Sequence, residues 1–190
     1  GYTFTTTGSG ASADFEYDGE FSGEKFMAVY PAGEYTADVE NKTVNAYIPT
    51  YQGARVGSYN ENAALAVAYS ENDQVAFKNA HSLIKFTIKS SGIKAIEFYG
   101  NNNEAITGNM LVSLNDDYTV KSVVGQDTVF EEGKENEWTG KGTWVKIYSE
   151  DERNGWCFED GATYYAAVAP ADFTKGVSIN YILADDTKID

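Results

Sequence analysis

Apolar and polar residues alternate along most of this chain. In the run 84–89, Ile84, Phe86 and Ile88 face one way while Lys85, Thr87 and Lys89 face the other. From 177 to 183, Val177, Ile179, Tyr181 and Leu183 share a single face. Between 143 and 149, Val145 and Ile147 take the core side and leave Trp144, Lys146 and Tyr148 opposite. A period of two marks half-buried antiparallel strands, because successive side chains leave a pleated strand on opposite faces. About 13–15 such runs can be drawn, roughly at 2–6, 13–17, 25–30, 43–48, 64–69, 74–78, 82–89, 93–99, 105–114, 118–124, 127–131, 143–149, 156–158, 163–169 and 177–184. Turn residues separate them, among them PAGE at 31–34, GNNNE at 100–104, NDD at 115–117 and RNG at 153–155. No window carries a helical stripe. The Ala-rich run 62–69 admits a short helical turn, yet Leu65, Val67 and Tyr69 keep strand spacing. The pattern predicts an all-β fold.

A seven-strand sandwich uses about 100 residues, so this many strands in 190 residues predicts two antiparallel β-sandwich lobes in tandem. The apolar phase flips inside VAFKNAHSLIKF, from odd positions at Val75 and Phe77 to even ones at Ile84 and Phe86. A turn, bulge or crossover near Asn79–His81 would produce that flip, which places an N-terminal lobe at 1–80 and a C-terminal lobe at 81–190. One stretch is also written twice. FMAVYPAGEY at 26–35 is echoed by YAAVAPADF at 165–173, each an aromatic, then Ala-Val, then Pro-Ala. Each reads as the exit of a buried strand where proline is tolerated because its missing N–H is not needed. The runs 44–48 and 177–182 would be the return strands of two equivalent hairpins, one per lobe.

Composition narrows the function classes. The 14 Tyr, 10 Phe and 3 Trp suit packed β-structure. A formal charge of −15 opposes nucleic acid and anionic membranes, whose phosphates need clustered Lys and Arg. The single cysteine, Cys157, forbids an intramolecular disulfide. With one Cys and one His, a closed zinc site would rest almost wholly on carboxylates, so no metal or cofactor is expected. No run approaches the ~18 apolar residues of a membrane span, and no signal peptide is present. The abrupt start at Gly1 is what a trimmed mature form would give.

Candidate chemistry is sparse. Any imidazole mechanism must run through His81, but its neighbour Ser82 would point to the opposite face of a strand, which spoils a nucleophile–base pair. The acidic pairs Asp116-Asp117, Glu131-Glu132, Glu150-Asp151-Glu152 and Glu159-Asp160 could in principle run a glycosidase. A chain with 29 acids scatters such pairs in solvated turns by composition alone. The NDD and SEDERNG stretches lack the spaced ligands of a calcium loop. Cys157, between Trp156 and Phe158, reads as a buried thiol without a basic neighbour. No catalytic, cofactor or metal residue is therefore named. Trp138, Trp144 and Trp156 fall within one short stretch and are candidates for stacking on sugars, against the ordinary fate of Trp between sheets.

Several blocks, in order, resemble the fimbrillin-like surface proteins of Bacteroides-group bacteria. They are FMAVYP (26–31), VNAYIPTYQ (44–52), NAALAVAYS (62–70), VAFKNAHSLIKFTI (75–88), KAIEFYGNNNEAITGNMLVSL (94–114) and FEDGATYYAAVAPADFTKGVSINY (158–181). The resemblance implies transthyretin-like lobes and a non-enzymatic adhesion or pilus-type protein at the cell surface or outer membrane. It implies export on a signal peptide outside this chain and a lipid anchor in the full-length precursor. Partners would be other pilin-type subunits or surface ligands of host or bacterium, met through loops and sheet edges, with assembly by strand donation. The alternative is a surface glycan-binding module of a polysaccharide-uptake system, working through the three tryptophans.

Overall fold

The computed structural model describes residues 3–6, 14–16, 18, 20, 23–33, 35–72, 74–127 and 140–189. The strands among them are β1 (Thr5–Thr6), β2 (Phe15–Glu16), β3 (Phe26–Tyr30), β4 (Thr36–Asp38), β5 (Thr43–Ile48), β6 (Tyr51–Ala54), β7 (Ala66–Ser70), β8 (Lys78–Asn79) and β9 (Ser82–Thr87). They continue with β10 (Ile93–Gly100), β11 (Thr107–Leu114), β12 (Val120–Gly125), β13 (Lys141–Gly142), β14 (Trp144–Ser149), β15 (Thr163–Val168), β16 (Val177–Leu183) and β17 (Lys188–Ile189). Helical structure among the described residues is limited to two 3₁₀ turns, Glu61–Ala63 and Glu152–Asn154. The fold is all-β, as the alternation predicts.

A five-stranded sheet runs β17-β16-β10-β14-β6, and a second sheet runs β12-β11-β5-β4 with β13 beside β11. Smaller sheets are β3-β7-β8, β15-β9 and the β1–β2 pair. Among the described residues every ladder is antiparallel except β14–β6, whose parallel register sets Lys146 opposite Tyr51 and Tyr148 opposite Gly53.

Two apolar cores result. One joins the five-stranded sheet to β15-β9, with Ile96, Phe98, Val145, Ile147, Phe158 and Tyr164 among its members. The other joins β12-β11-β5-β4 to β3-β7-β8 through Val44, Ile48, Val67, Met110 and Val112. Several stretches of chain pass from one core to the other. Along β5 and β6, Ile48 belongs to the second core and Ala54 to the first; along 80–88, Ala80 lies in the second and Ile88 in the first; along 106–114, Ile106 lies in the first and Met110 in the second. The ladders β5–β11 and β6–β14 thus join residues from either side of the 80/81 division.

The sheets meet at a polar junction. The Thr107 hydroxyl is fully buried, donates to the Trp144 carbonyl at 2.8 Å and accepts from Thr50 Oγ1 at 3.1 Å. Next to it Gly108 takes φ +81°, and a Cβ there would sit 2.2 Å from the Gly140 carbonyl oxygen. Only glycine serves on both counts.

The echoed stretches are not hairpins. β3 and β15 end just before Pro31 and Pro170, but 44–48 and 177–182 lie in the facing sheets, not beside the strands that precede them. The connections 31–35 and 169–176 are long enough to cross the ~10 Å between layers. The same module is used once per core, as an arch over the core instead of a turn along its edge. Two runs read as strands differ as well: 74–77 has irregular backbone until β8 begins, and 156–158 is a loop. Their apolar residues sit beside short polar segments, which periodicity alone does not separate from a strand. Of the run 127–131, positions 128–131 lie outside the described residues.

Candidate functional site

The five-stranded sheet and its β15-β9 cover are closed along one side and open along the other. On the closed side the carboxamide of Gln52, in β6, reaches across the core. Its Nε2 donates to the Ala167 carbonyl at 2.6 Å and its Oε1 accepts from the Ala167 N–H at 3.0 Å. Nε2 also donates to the Pro49 carbonyl at 2.9 Å. The side chain is entirely buried and behaves as one more peptide unit on the edge of β15. Two backbone bonds continue that edge: Gly57 N–H donates to Thr163 O at 2.8 Å, and Tyr165 N–H donates to Ser58 O at 3.3 Å.

β15 therefore has its outer edge sealed, and its other edge pairs with β9. Beyond β9 the layer stops among the described residues. With strands about 4.8 Å apart, two strands cover only the nearer part of a five-stranded sheet. Exposure along the inner face records the shortfall. Directly opposed residues of adjacent strands share a face, so Val145 and Ile147 of β14, Ile96 and Phe98 of β10, and Ile179 and Tyr181 of β16 all point inward. Their exposure rises from 0–1% on β14 to 5–7% on β10 and 36–37% on β16, and reaches 47% at Ile189 of β17. Ile84 and Phe86, on the inner face of β9, are half-buried. A shallow apolar trough lies here, floored by Val177, Ile179, Tyr181 and Ile189 and walled by the outer edge of β9. The run 177–183 has the shared face that alternation predicts, but that face is its more exposed one, because the cover is narrower than the sheet.

The opposite, outer face of the same sheet carries polar and aromatic residues in register. One cross-strand row holds Trp144, Tyr99 and Ser178; the next holds Tyr51, Lys146, Glu97 and Asn180; the third holds Gly53, Tyr148, Ala95, Ile182 and Lys188. Tyr51 stands 61% exposed and meets Trp144 edge to face at 5.5 Å with an interplanar angle of 83°. Glu97 is bound by Lys188 at 2.8 Å, Tyr99 OH at 3.1 Å and Lys146 at 3.4 Å. Burial works against its charge, but the hydrogen bonds from Lys188, Tyr99 and Lys146 outweigh it and hold its carboxyl below the usual range. Asn180 Nδ2 donates to the Tyr99 hydroxyl. Burial pushes the Tyr99 hydroxyl up, and the hydrogen bond to Glu97 raises the Lys188 ammonium.

Trp144 and Trp156 lie apart. Trp144 lies on the outer face, as its spacing predicts, half-buried beside Tyr51. Trp156 is 54% exposed in the loop after β14, at φ +61°. The hydroxyl of Ser149, which ends β14, donates to Cys157 O at 2.9 Å, so Trp156 lies near the far end of a strand that rises about 17 Å from Trp144. Trp138 falls outside the described residues. Alternation places Tyr148 on this face beside Trp144, but Tyr51 and Tyr99 escaped sequence reasoning; β6 reads Tyr-Gln-Gly-Ala without alternation, and its parallel pairing to β14 is a tertiary outcome.

Several of the remaining candidates make bonds within the fold. His81 Nδ1 donates to the Leu65 carbonyl at 2.8 Å, and its ring tilts against Tyr59. Asp116 pairs with Lys42 at 2.8 Å, Asp117 caps the Thr119 N–H at 3.1 Å, Asp151 caps the Arg153 N–H at 3.1 Å and Glu150 pairs with Arg55 at 3.0 Å. Glu131-Glu132 lie outside the described residues. The Cys157 thiol is buried and donates to Gly155 O at 3.7 Å. A shallow depression lined by Glu24, Lys25, Val39 and Glu40 holds a 3.8 Å Lys25–Glu40 pair. Among the described residues no group of three or more His, Cys, Asp or Glu could hold a metal ion, and no helix is long and apolar enough to cross a membrane.

Compared with protein-family models, with curated proteins and with solved structures, the chain gives no match. The fimbrillin-like resemblance accordingly rests on its ordered motifs alone.

Proposed function

We propose that this is a non-enzymatic, surface-exposed adhesion or pilus-type protein of fimbrillin-like kind, and that it works by accepting an extended segment of a partner subunit. The observation that carries the reading is the strand position beside β9, which no described residue fills. A strand laid there would pair its backbone with the outer edge of Ser82–Thr87 and set alternate side chains on Ile179, Tyr181 and Ile189. An uncovered edge next to uncovered apolar surface is a liability that folded proteins ordinarily block. The reading extends to two transthyretin-like lobes, one around each core, and to display at the cell surface or outer membrane by an anchored precursor. Binding in place of catalysis is supported by the commitment of the sole imidazole to Leu65 and of the turn carboxylates to caps and ion pairs.

An uncharged peptide of alternating valine and threonine tests the acceptor. At about 100 times its Kd it should stabilise the chain by about 2.7 kcal/mol, raising Tm by roughly 5–10 °C. Native mass spectrometry should find one peptide bound per chain. Ile179→Lys places an ammonium in the trough and should abolish both effects while the variant still melts cooperatively. An unshifted Tm with no bound peptide, or equal binding by the variant, overturns the proposal.

A further inference from the structure

We infer that the outer face of the five-stranded sheet is a binding site for a neutral glycan, centred on the corner made by Tyr51 and Trp144. The inference is independent of the strand-acceptor reading, since the two surfaces lie on opposite sides of the sheet.

The argument begins with the rings. Tyr51, Trp144, Tyr99 and Tyr148 come from three adjacent strands and project from one sheet face. Tyr51 and Trp144 meet nearly at right angles, and Tyr51 is largely open to solvent. Two ring faces set as a corner offer one apolar wall to stack on and a second to confine what stacks. Charged and amide groups lie between the rings. In the row of Tyr51 come Lys146, then Glu97, then Asn180, with Ser178 one row on.

That mixture selects among partners. The buried centre of a protein–protein interface is depleted in charged residues, whereas here an ion pair occupies the middle row. Nucleic acids and anionic lipids also use aromatic and cationic surfaces, but a chain of charge −15 repels them. The same charge disfavours acidic polysaccharides, and Lys146 and Lys188 are already engaged by Glu97 at 3.4 and 2.8 Å. An uncharged pyranose meets both features. Its C–H face lies on a ring, and its hydroxyls donate to the Glu97 carboxylate or to Ser178 Oγ, which itself donates to Asn101 Oδ1 at 2.7 Å, and accept from Lys146. Trp156, near the other end of β14, is not part of the site.

Titration of the chain with neutral gluco-, manno- and xylo-oligosaccharides, followed by tryptophan fluorescence and saturation-transfer NMR, tests the inference. At least one series should bind at up to about 10 mM sugar, where even a millimolar Kd is visible. Tyr51→Ala, at an exposed position, should weaken binding about tenfold or more, while its Tm stays near that of the unaltered chain. Trp156→Ala and Ile179→Lys should bind as before, the latter having lost the strand-acceptor response. No binding by any neutral series, binding to an acidic oligosaccharide alone, or unchanged binding by Tyr51→Ala overturns it.

Discussion

The two long edges of the five-stranded sheet and its β15-β9 cover are finished in opposite ways. At β6 and β15 a buried carboxamide satisfies both backbone groups of Ala167, and Gly57 and Ser58 complete the seal. At β9 and β16 neither device is present among the described residues, and isoleucine and tyrosine side chains of the inner face meet solvent. Ile147 and Ile179 make the contrast sharp, since they are the same residue type on the same face of the same sheet. One is 1% exposed and the other 37%. Residue type and strand period are equal; the number of strands opposite differs.

Truncating those two residues is the most direct way to break the comparison. Ile147→Ala should cost about 2–5 kcal/mol by urea denaturation, through lost burial and a residual cavity. Equal losses at 147 and 179 would mean that the open side is covered in solution. A loss of similar size is expected at the seal. Gln52→Leu keeps the volume but strands the Ala167 N–H and C=O in the core, at about 1–3 kcal/mol for each group left unsatisfied. Amide exchange should then quicken along the outer edge of β15 before it does along β14. Ile179→Ala should cost about 1 kcal/mol or less, since much of that side chain is already in water.

The smallest effect is a dependence on pH. Glu97 has its carboxyl held below the ordinary range, so its contribution is present at neutral pH and is lost as acid takes pH down through the folded value. Tm should fall as pH drops below about 4, and Glu97→Gln should flatten part of that slope. Asp38, Asp116, Asp117 and Asp185 are lowered too, by hydrogen bonds from Asn41, Lys42, Thr119 and Thr187 respectively, and would keep a residual slope in the variant. A slope unchanged by Glu97→Gln would remove the outer-face network as a contributor.

Much of the fold is legible in the order of residues along the chain. The run 43–48 is β5 to the residue, and 84–89, 93–99, 143–149 and 177–184 fall on β9, β10, β14 and β16 within a few positions. The facing of Trp144 against Val145 and Ile147 follows from period two alone. The short strands β4, β6, β13 and β17 are not legible, because two to four residues are too few to display a period and their pairing comes from neighbours distant in sequence. The aromatic corner is hidden for that reason. Tyr51 and Trp144 are far apart in the chain and meet only because β6 lies parallel to β14.

Along the longer strands, local sequence determined which residues are extended and which side chains share a face, because both follow from backbone geometry over a few residues. Tertiary structure alone decided which of those faces is covered. Val177, Ile179 and Tyr181 have the pattern of a core strand and become the floor of a trough, since burial depends on how many strands lie across the sheet, a quantity that no stretch of the strand itself encodes. Gln52 shows the reverse: a polar residue that composition would put at the surface is buried completely, because a backbone edge needing its amide lies within hydrogen-bonding reach.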